Sequence, residues 1–269
     1  MDTTSREKIR EHAARDIAHR WFAYFEGENK TVNRQLEILS EDIKILHASS
    51  YLLADNRDAA AEWLAHIPED IDSHFIKEFI YNPISEDLAE VRMKVEYQVI
   101  QADKRIGGAI IHYQTLVTFT EENSALFKYI NKTPVEYNPN KVFADSYQEN
   151  RIYSLIYRWI YLLETFNAEG IKELLVKDGQ PFIFSKKRDL KKVEELTNFN
   201  EQLSAQTQTG YYEIESIYTE TLFDNQALVK IKGTWNRVIK GVFLSSSVQY
   251  KLKLQDSGER FQKIVDFQE

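Results

Sequence analysis

The chain has 269 residues, 28% of them charged and 43% hydrophobic, with a net charge of −8 from 34 basic and 42 acidic side chains. That composition is globular, and the acidic balance argues against nucleic-acid or acidic-membrane binding. With no cysteine, disulfides, thiolate metal sites and cysteine nucleophiles are excluded. The opening residues MDTTSREKIREH carry no apolar signal region, and no run approaches the roughly 18 apolar residues of a membrane span, so a cytoplasmic protein is expected.

The first helix is expected from Thr4, where Glu7 three residues on fits a capping box, to a stop at Gly27. Along it Ile9, Ala13, Ile17, Trp21 and Phe25 recur every four residues, which makes one apolar face. His12 and His19 fall on what should be its solvent side. A short helix follows at Thr31 to Leu39, then a strand at Asp42 to His47 with Ile43 and Ile45 alternating. An alanine-rich segment, Arg57 to Ile67, predicts a third helix. Strands are expected at Phe75 to Tyr81, Val91 to Ile100, Ala109 to Phe119 and Ala125 to Ile130, with Gly107 and Gly108 in a hairpin turn. In the second of these, Val91, Met93, Val95, Tyr97 and Val99 face inward, while Arg92, Lys94, Glu96 and Gln98 face outward.

The plan is then written a second time. His19-Arg20-Trp21-Phe22 corresponds to Tyr157-Arg158-Trp159-Ile160, and Val91 to Gln98 corresponds to Val229 to Asn236, both 138 positions later. Glu37 to Asp42 pairs with Glu173 to Asp178, and Tyr113 to Phe119 with Val248 to Leu254. The second copy predicts helices near 147–166, 168–176 and 189–203, and strands near 212–221, 227–239, 242–255 and 260–267. Pro134, Pro139 and neighbouring asparagines mark a linker, so the domains are set at 1–135 and 136–269. Helices first and strands last predict α+β in both halves, about three helices on an antiparallel sheet in each.

The helix-borne Arg-Trp pair and the strand entry Glu41-Asp42-Ile43-Lys44-Ile45-Leu46-His47 resemble the nuclear transport factor 2-like, SnoaL-like superfamily, once per half. That superfamily includes polyketide cyclases, ketosteroid isomerases, scytalone dehydratases and limonene-epoxide hydrolases. The resemblance implies two cone-like domains, each with a strongly curved sheet and an apolar pocket. It also implies carried-over positions: the isomerase oxyanion donor falls at Trp21 and Trp159, the base at His47 and Ile183, and a second donor at Thr115 and Tyr250. None is the isomerase's own residue, so steroid isomerisation is not expected, and an epoxide-hydrolase Asp-Arg-Asp network cannot be placed.

All six histidines lie in the first copy, which points to one active pocket and a degenerate second copy. His47 is the candidate base. Trp21, Tyr24, Tyr97, Tyr113 and Thr115 are the candidate substrate-binding residues, although core packing is the favoured reading of the aromatics. Glu62 and His66 could share a metal with His47, but a solvated helix face is the simpler reading, and no metal or cofactor is expected. Lys186-Lys187-Arg188 with Lys191 and Lys192 reads as a solvated helix start, and the triplets Asn29-Lys30-Thr31 and Asn131-Lys132-Thr133 match a glycosylation acceptor without a secretory context. The expected function is binding of a small hydrophobic oxygenated molecule in the first pocket, with cofactor-independent isomerase, dehydratase, cyclase or hydrolase chemistry left open. The alternative is a non-catalytic protein-interaction or scaffold module.

The outer faces, with Arg92, Lys94, Glu96 and Gln98 in one copy and Lys230, Lys232, Thr234 and Asn236 in the other, suit a partly wet contact. An intramolecular pseudo-dimer through the sheets is therefore expected, leaving the chain a monomer or weak homodimer. The linker, from about Asn131 to Asp145, spans up to ~50 Å when extended. Halves expressed separately should associate when mixed, as read by light scattering; two halves that ignore each other would sink the pseudo-dimer.

Overall fold

The computed structural model describes residues 3–26, 30–68, 70–101, 103–121, 124–175, 209–222, 226–256 and 263–268. Gly27, Asp178, Ile183, the basic run at 186–188 with Lys191 and Lys192, and the helix expected near 189–203 lie outside the described residues. The chain divides into two compact units, one of Ala13–Ser154 and one of Met1–His12 with Leu155–Glu269. No described helix is long and apolar enough to cross a membrane.

The unit of residues 13–154 contains most of α1 (Thr3–Glu26), then α2 (Val32–Leu36), β1 (Leu39–His47), β2 (Tyr51–Ala54) and α3 (Arg57–Ala65). Four long strands follow: β3 (Ile71–Pro83), β4 (Leu88–Ile100), β5 (Ile106–Phe119) and β6 (Ala125–Tyr137). The sheet runs in the order β2-β1-β6-β5-β4-β3 and is antiparallel except for the parallel pair β1–β6. Its inner face follows the expected alternation: Val91, Met93 and Val95 are buried, and Phe22 and Trp21 of α1 meet Tyr113 and Phe127 edge-on. Asn56 caps α3, its side chain accepting from the Ala59 N–H.

Several expectations are corrected. Gly107 and Gly108 lie inside β5, and the turn sits earlier, where Gln101 N–H bonds the Arg105 carbonyl and Lys104 takes φ +66°. A Cβ at Gly108 would stand 2.3 Å from the Tyr97 carbonyl oxygen, so the glycine serves a close strand approach. β6 continues seven residues beyond the expected end at Ile130, carrying Pro134 within it. The connection after it begins at Asn138, whose side-chain amide donates to the carbonyl of Tyr97 at 3.2 Å and the carboxylate of Glu96 at 3.3 Å. Gln98, on the outer face, receives the Ala144 N–H and donates to the Val142 carbonyl. α1 already includes Thr4, which is therefore not its cap.

The unit of Met1–His12 with 155–269 holds the rest of α4 (Tyr147–Glu164), α5 (Ala168–Glu173), and an antiparallel sheet β10-β9-β8-β7. Its strands are β7 (Thr209–Thr221), β8 (Gln226–Ile239), β9 (Val242–Gln255) and β10 (Lys263–Gln268). Trp159 packs edge-on against Tyr250 and Phe267, as Trp21 packs against its own sheet.

His12, Asp16, His19 and Arg20 of α1 are buried, contrary to the solvent placement of His12 and His19. Within residues 13–154, α1 runs antiparallel to the start of α4: Ser154 Oγ donates to Asp16 at 2.5 Å, and His19 Nδ1 meets Asn150 Oδ1 at 2.8 Å. In the other unit His12 Nδ1 lies 3.0 Å from the buried Glu164 carboxylate. An apolar period of four reports one face of a helix, and it is silent about a second face buried through hydrogen bonds.

Burial lowers the His19 imidazole to about 4, opposed by the Asn150 bond and aided by Arg15. The unfolded chain therefore takes up a proton near pH 6.5 that the folded chain refuses until about pH 4. Stability attributable to His19 is complete above pH 6.5 and falls as the pH drops toward 4, by about 3 kcal/mol in all. Urea unfolding at pH 7 and pH 5 should show a smaller acid loss for His19→Gln than for the wild type.

Candidate functional site

Inside residues 13–154, the strongest chemical grouping begins with Glu26, the last residue of α1. Its side chain is fully buried. One oxygen accepts the His74 backbone N–H at 2.8 Å, the Ser146 hydroxyl at 2.6 Å and the Asn150 amide at 3.0 Å. His74 Nδ1 lies 3.2 Å from the same oxygen. A carboxylate orienting a ring through Nδ1 leaves Nε2 as the nitrogen available for proton transfer.

The His74 ring sits among other rings. It stacks on Phe22 at 5.1 Å and lies 5.0 Å from Tyr97 and 6.0 Å from Phe25. The pairing of β3 with β4 sets His74 opposite Tyr97, and the inner-face position two residues earlier on β3 is Asp72. Tyr97 donates its hydroxyl to Asp72 at 2.9 Å. Burial, with Asp72 close by, pushes the Tyr97 phenol far above its ordinary range. Tyr113 is buried completely and is likewise raised, chiefly by burial, with Trp21 opposing. Both phenols keep their protons at neutral pH. The Trp21 indole N–H has no partner of ordinary hydrogen-bond geometry among the described residues; those of Trp159 and Trp235 share this state.

The sequence-derived candidates separate. Trp21, Tyr97 and Tyr113 join the ring cluster around His74. His47 is half-buried at the end of β1, opposite Lys132 of β6. Tyr24 donates to the Leu64 carbonyl at 3.2 Å, and Thr115 donates to the Val91 carbonyl at 3.0 Å, so both hydroxyl protons are committed to backbone. His66 is exposed and its Nδ1 bonds the Glu62 carbonyl, and no group of three metal-ligating side chains occurs among the described residues. Glu26, Asp72, His74 and Lys132 are the residues that sequence reasoning missed. A signal for one of them existed: Glu26 recurs as Glu164, 138 positions on.

A separate groove of about 550 Å³ opens on the other face of the sheet, with Glu78, Arg92, Lys94, His112, Gln114 and Thr133 along it. His112 is placed outward there, as its alternation with Tyr113 predicts.

The equivalent interior of the second unit is built differently. Ladder positions make Asp72, His74 and Tyr97 equivalent to Gly210, Tyr212 and Trp235. Trp235 stacks on Tyr212 with centroids 4.3 Å apart, and the Tyr212 and Tyr250 hydroxyls bond each other at 2.9 Å. The same ladders make Tyr250 the counterpart of Tyr113, not of Thr115, which corresponds to Leu252.

No protein-family model matches the chain, and no curated protein matches it. Among solved structures it is similar to a scytalone dehydratase-like protein from Novosphingobium aromaticivorans, with 19% identity over 53% of this chain and 95% of that one, at a TM-score of 0.46. It is similar to the hexachlorocyclohexane dehydrochlorinase LinA-type3 of Novosphingobium barchaimii, with 10% identity over 49% and 90%, at a TM-score of 0.41. ActVI-ORFA of Streptomyces coelicolor shares 11% identity over 44% and 92%, at a TM-score of 0.38. These likenesses concern the fold alone, helices over a curved, largely antiparallel sheet.

A Cβ at Gly210 would lie 2.3 Å from the Trp235 ring. Gly210→Ala should therefore cost about 2 kcal/mol by overpacking, measured by urea unfolding. Gly210→Ala combined with Trp235→Tyr should recover part of that loss.

Proposed function

We propose that the interior of residues 13–154 binds a small hydrophobic oxygenated molecule and moves a proton on it by cofactor-independent acid–base chemistry. The observation that carries this reading is the buried Glu26–His74 pair set among Phe22, Phe25 and Tyr97. The carboxylate on Nδ1 fixes which ring nitrogen of His74 is left to take a proton. A neutral His74 whose Nδ1–H points at Glu26 takes a proton on Nε2, and the imidazolium then formed faces the carboxylate. An oxygen on the ligand that gains charge needs donors. The Tyr113 hydroxyl and the Trp21 indole N–H beside it supply them, the first holding its proton because it is buried, the second without a partner of ordinary hydrogen-bond geometry among the described residues. Tyr97, bound to Asp72, serves as wall and brace, and His47 stands at the strand end. Tyr24 and Thr115 contribute surface, since their protons are spent on carbonyls.

The chemical class is abstraction of an acidic C–H proton next to a carbonyl or leaving group, which covers isomerisation, elimination of water and ring closure. The proteins that this chain is similar to include ones named for dehydration and dehydrochlorination. A scaffold role through the outer groove is the competing reading, and it requires nothing of His74.

Exchange of the α-hydrogens of 2-tetralone in D₂O, followed by NMR, separates the two. The wild type should accelerate exchange over buffer, and His74→Asn should lose roughly 10²-fold or more of that acceleration. Equal rates for wild type, His74→Asn and buffer, across a set of apolar enolisable ketones, would remove the catalytic reading.

A further inference from the structure

Lys132 stands apart from the other lysines. Lys77, Lys128 and Lys172 each pair with a carboxylate within 3.0 Å, and Lys30 donates to the Pro68 carbonyl. Lys132 lies on the inner face of β6, level with His47 of β1 and Tyr113 of β5. Its Nζ sits 5.6 Å from the centre of the Trp63 ring of α3, which in turn stacks near Trp21. Among the described residues Nζ has neither a hydrogen-bond acceptor nor a carboxylate at ion-pair distance. Asp72 acts on it only through its longer-range charge.

We propose that Lys132 is an amine nucleophile that captures the carbonyl group of an apolar aldehyde or ketone as a Schiff base. The half-buried side chain keeps Nζ reachable, while Trp63 and Trp21 offer flat apolar surface to the rest of the molecule. A buried ammonium without a partner is costly, and loss of the proton relieves that cost. Burial does lower the Lys132 amine below the ordinary lysine value, with Asp72 opposing. The charged and titratable groups that face it are His47 from β1, Asp72 from β3 and Tyr113 from β5; α3 and α1 present the uncharged Trp63 and Trp21.

The step balances without an oxidant or reductant. The Nζ lone pair attacks the carbonyl carbon, the C=O π bond becomes a hydroxyl, and a carbinolamine forms. The hydroxyl then leaves as water, carrying in total both Nζ protons, and the C=N bond forms in its place.

Benzaldehyde with sodium cyanoborohydride reduces any such imine to a stable benzylamine that peptide mass spectrometry locates. At pH 7, Lys132 should be benzylated several-fold faster than the exposed Lys104 and Lys251, because an amine lowered by burial holds a larger neutral fraction. From pH 7 to 9 its rate should rise less steeply than theirs. Labelling of Lys132 at or below the rate of the exposed lysines overturns the proposal. The His74→Asn variant should still label at Lys132, so that loss of proton transfer and loss of amine capture are read separately.

Discussion

A carboxylate in the interior is the constraint on which the rest of this structure depends. Glu26 has no solvent to stabilise its charge, and it is held by donors from two stretches of chain: the backbone and ring of His74 on β3, and the Ser146 hydroxyl and Asn150 amide at the start of α4. Removing such an anion's partners costs more than the net worth of any one bond, because the desolvated charge remains. The arrangement thus ties α1, β3 and the start of α4 together at one atom, and it fixes the imidazole of His74 as a by-product. The chain writes the same device again at the same interval. Glu164 accepts the Tyr212 backbone N–H at 2.7 Å and meets His12, as Glu26 accepts the His74 N–H and meets Asn150. Each of those residues is 138 positions from its counterpart, and Asp16 and Ser154, bonded to each other, are 138 apart as well.

Much of the fold was legible because burial on a sheet or a helix leaves a period. Val91 to Val99 alternate as a half-buried strand must, and Trp21 and Trp159 mark the same helical position in both copies. What periodicity cannot carry is a polar residue whose burial is balanced by a distant partner. His12, His19 and Asp16 look like a solvated face because their partners, Glu164, Asn150 and Ser154, lie more than a hundred residues away. Gly107 and Gly108 carried the right message of close approach but were assigned to a turn, since the dipeptide alone does not distinguish a hairpin from a crowded ladder.

The site was harder to read for the same reason. Counting along a family pattern selects His47, because that count follows the strand. It cannot select His74, whose significance lies in a carboxylate 48 residues upstream. Lys132 was visible only as the middle of an Asn-Lys-Thr triplet. Its interest comes from the β5–β6 register, which turns it inward beside Tyr113, and that register depends on a strand that runs through Pro134 where composition suggests a linker.

The two interiors differ at equivalent ladder positions. At the position where one strand carries His74 the other carries Tyr212, with the identical backbone bond to a buried glutamate. In residues 13–154 the same positions carry an imidazole on Glu26 and a phenol on Asp72, and the Trp21 indole N–H, like those of Trp159 and Trp235, lacks a partner of ordinary geometry among the described residues. In the second copy Gly210 makes room for Trp235, the ring stacks on Tyr212, and the Tyr212 and Tyr250 hydroxyls satisfy one another. Aromatic pairs of this kind add about 0.5–1.5 kcal/mol beyond the area they bury. At equivalent ladder positions the two units thus differ in the side chain that follows a shared backbone bond to a buried glutamate.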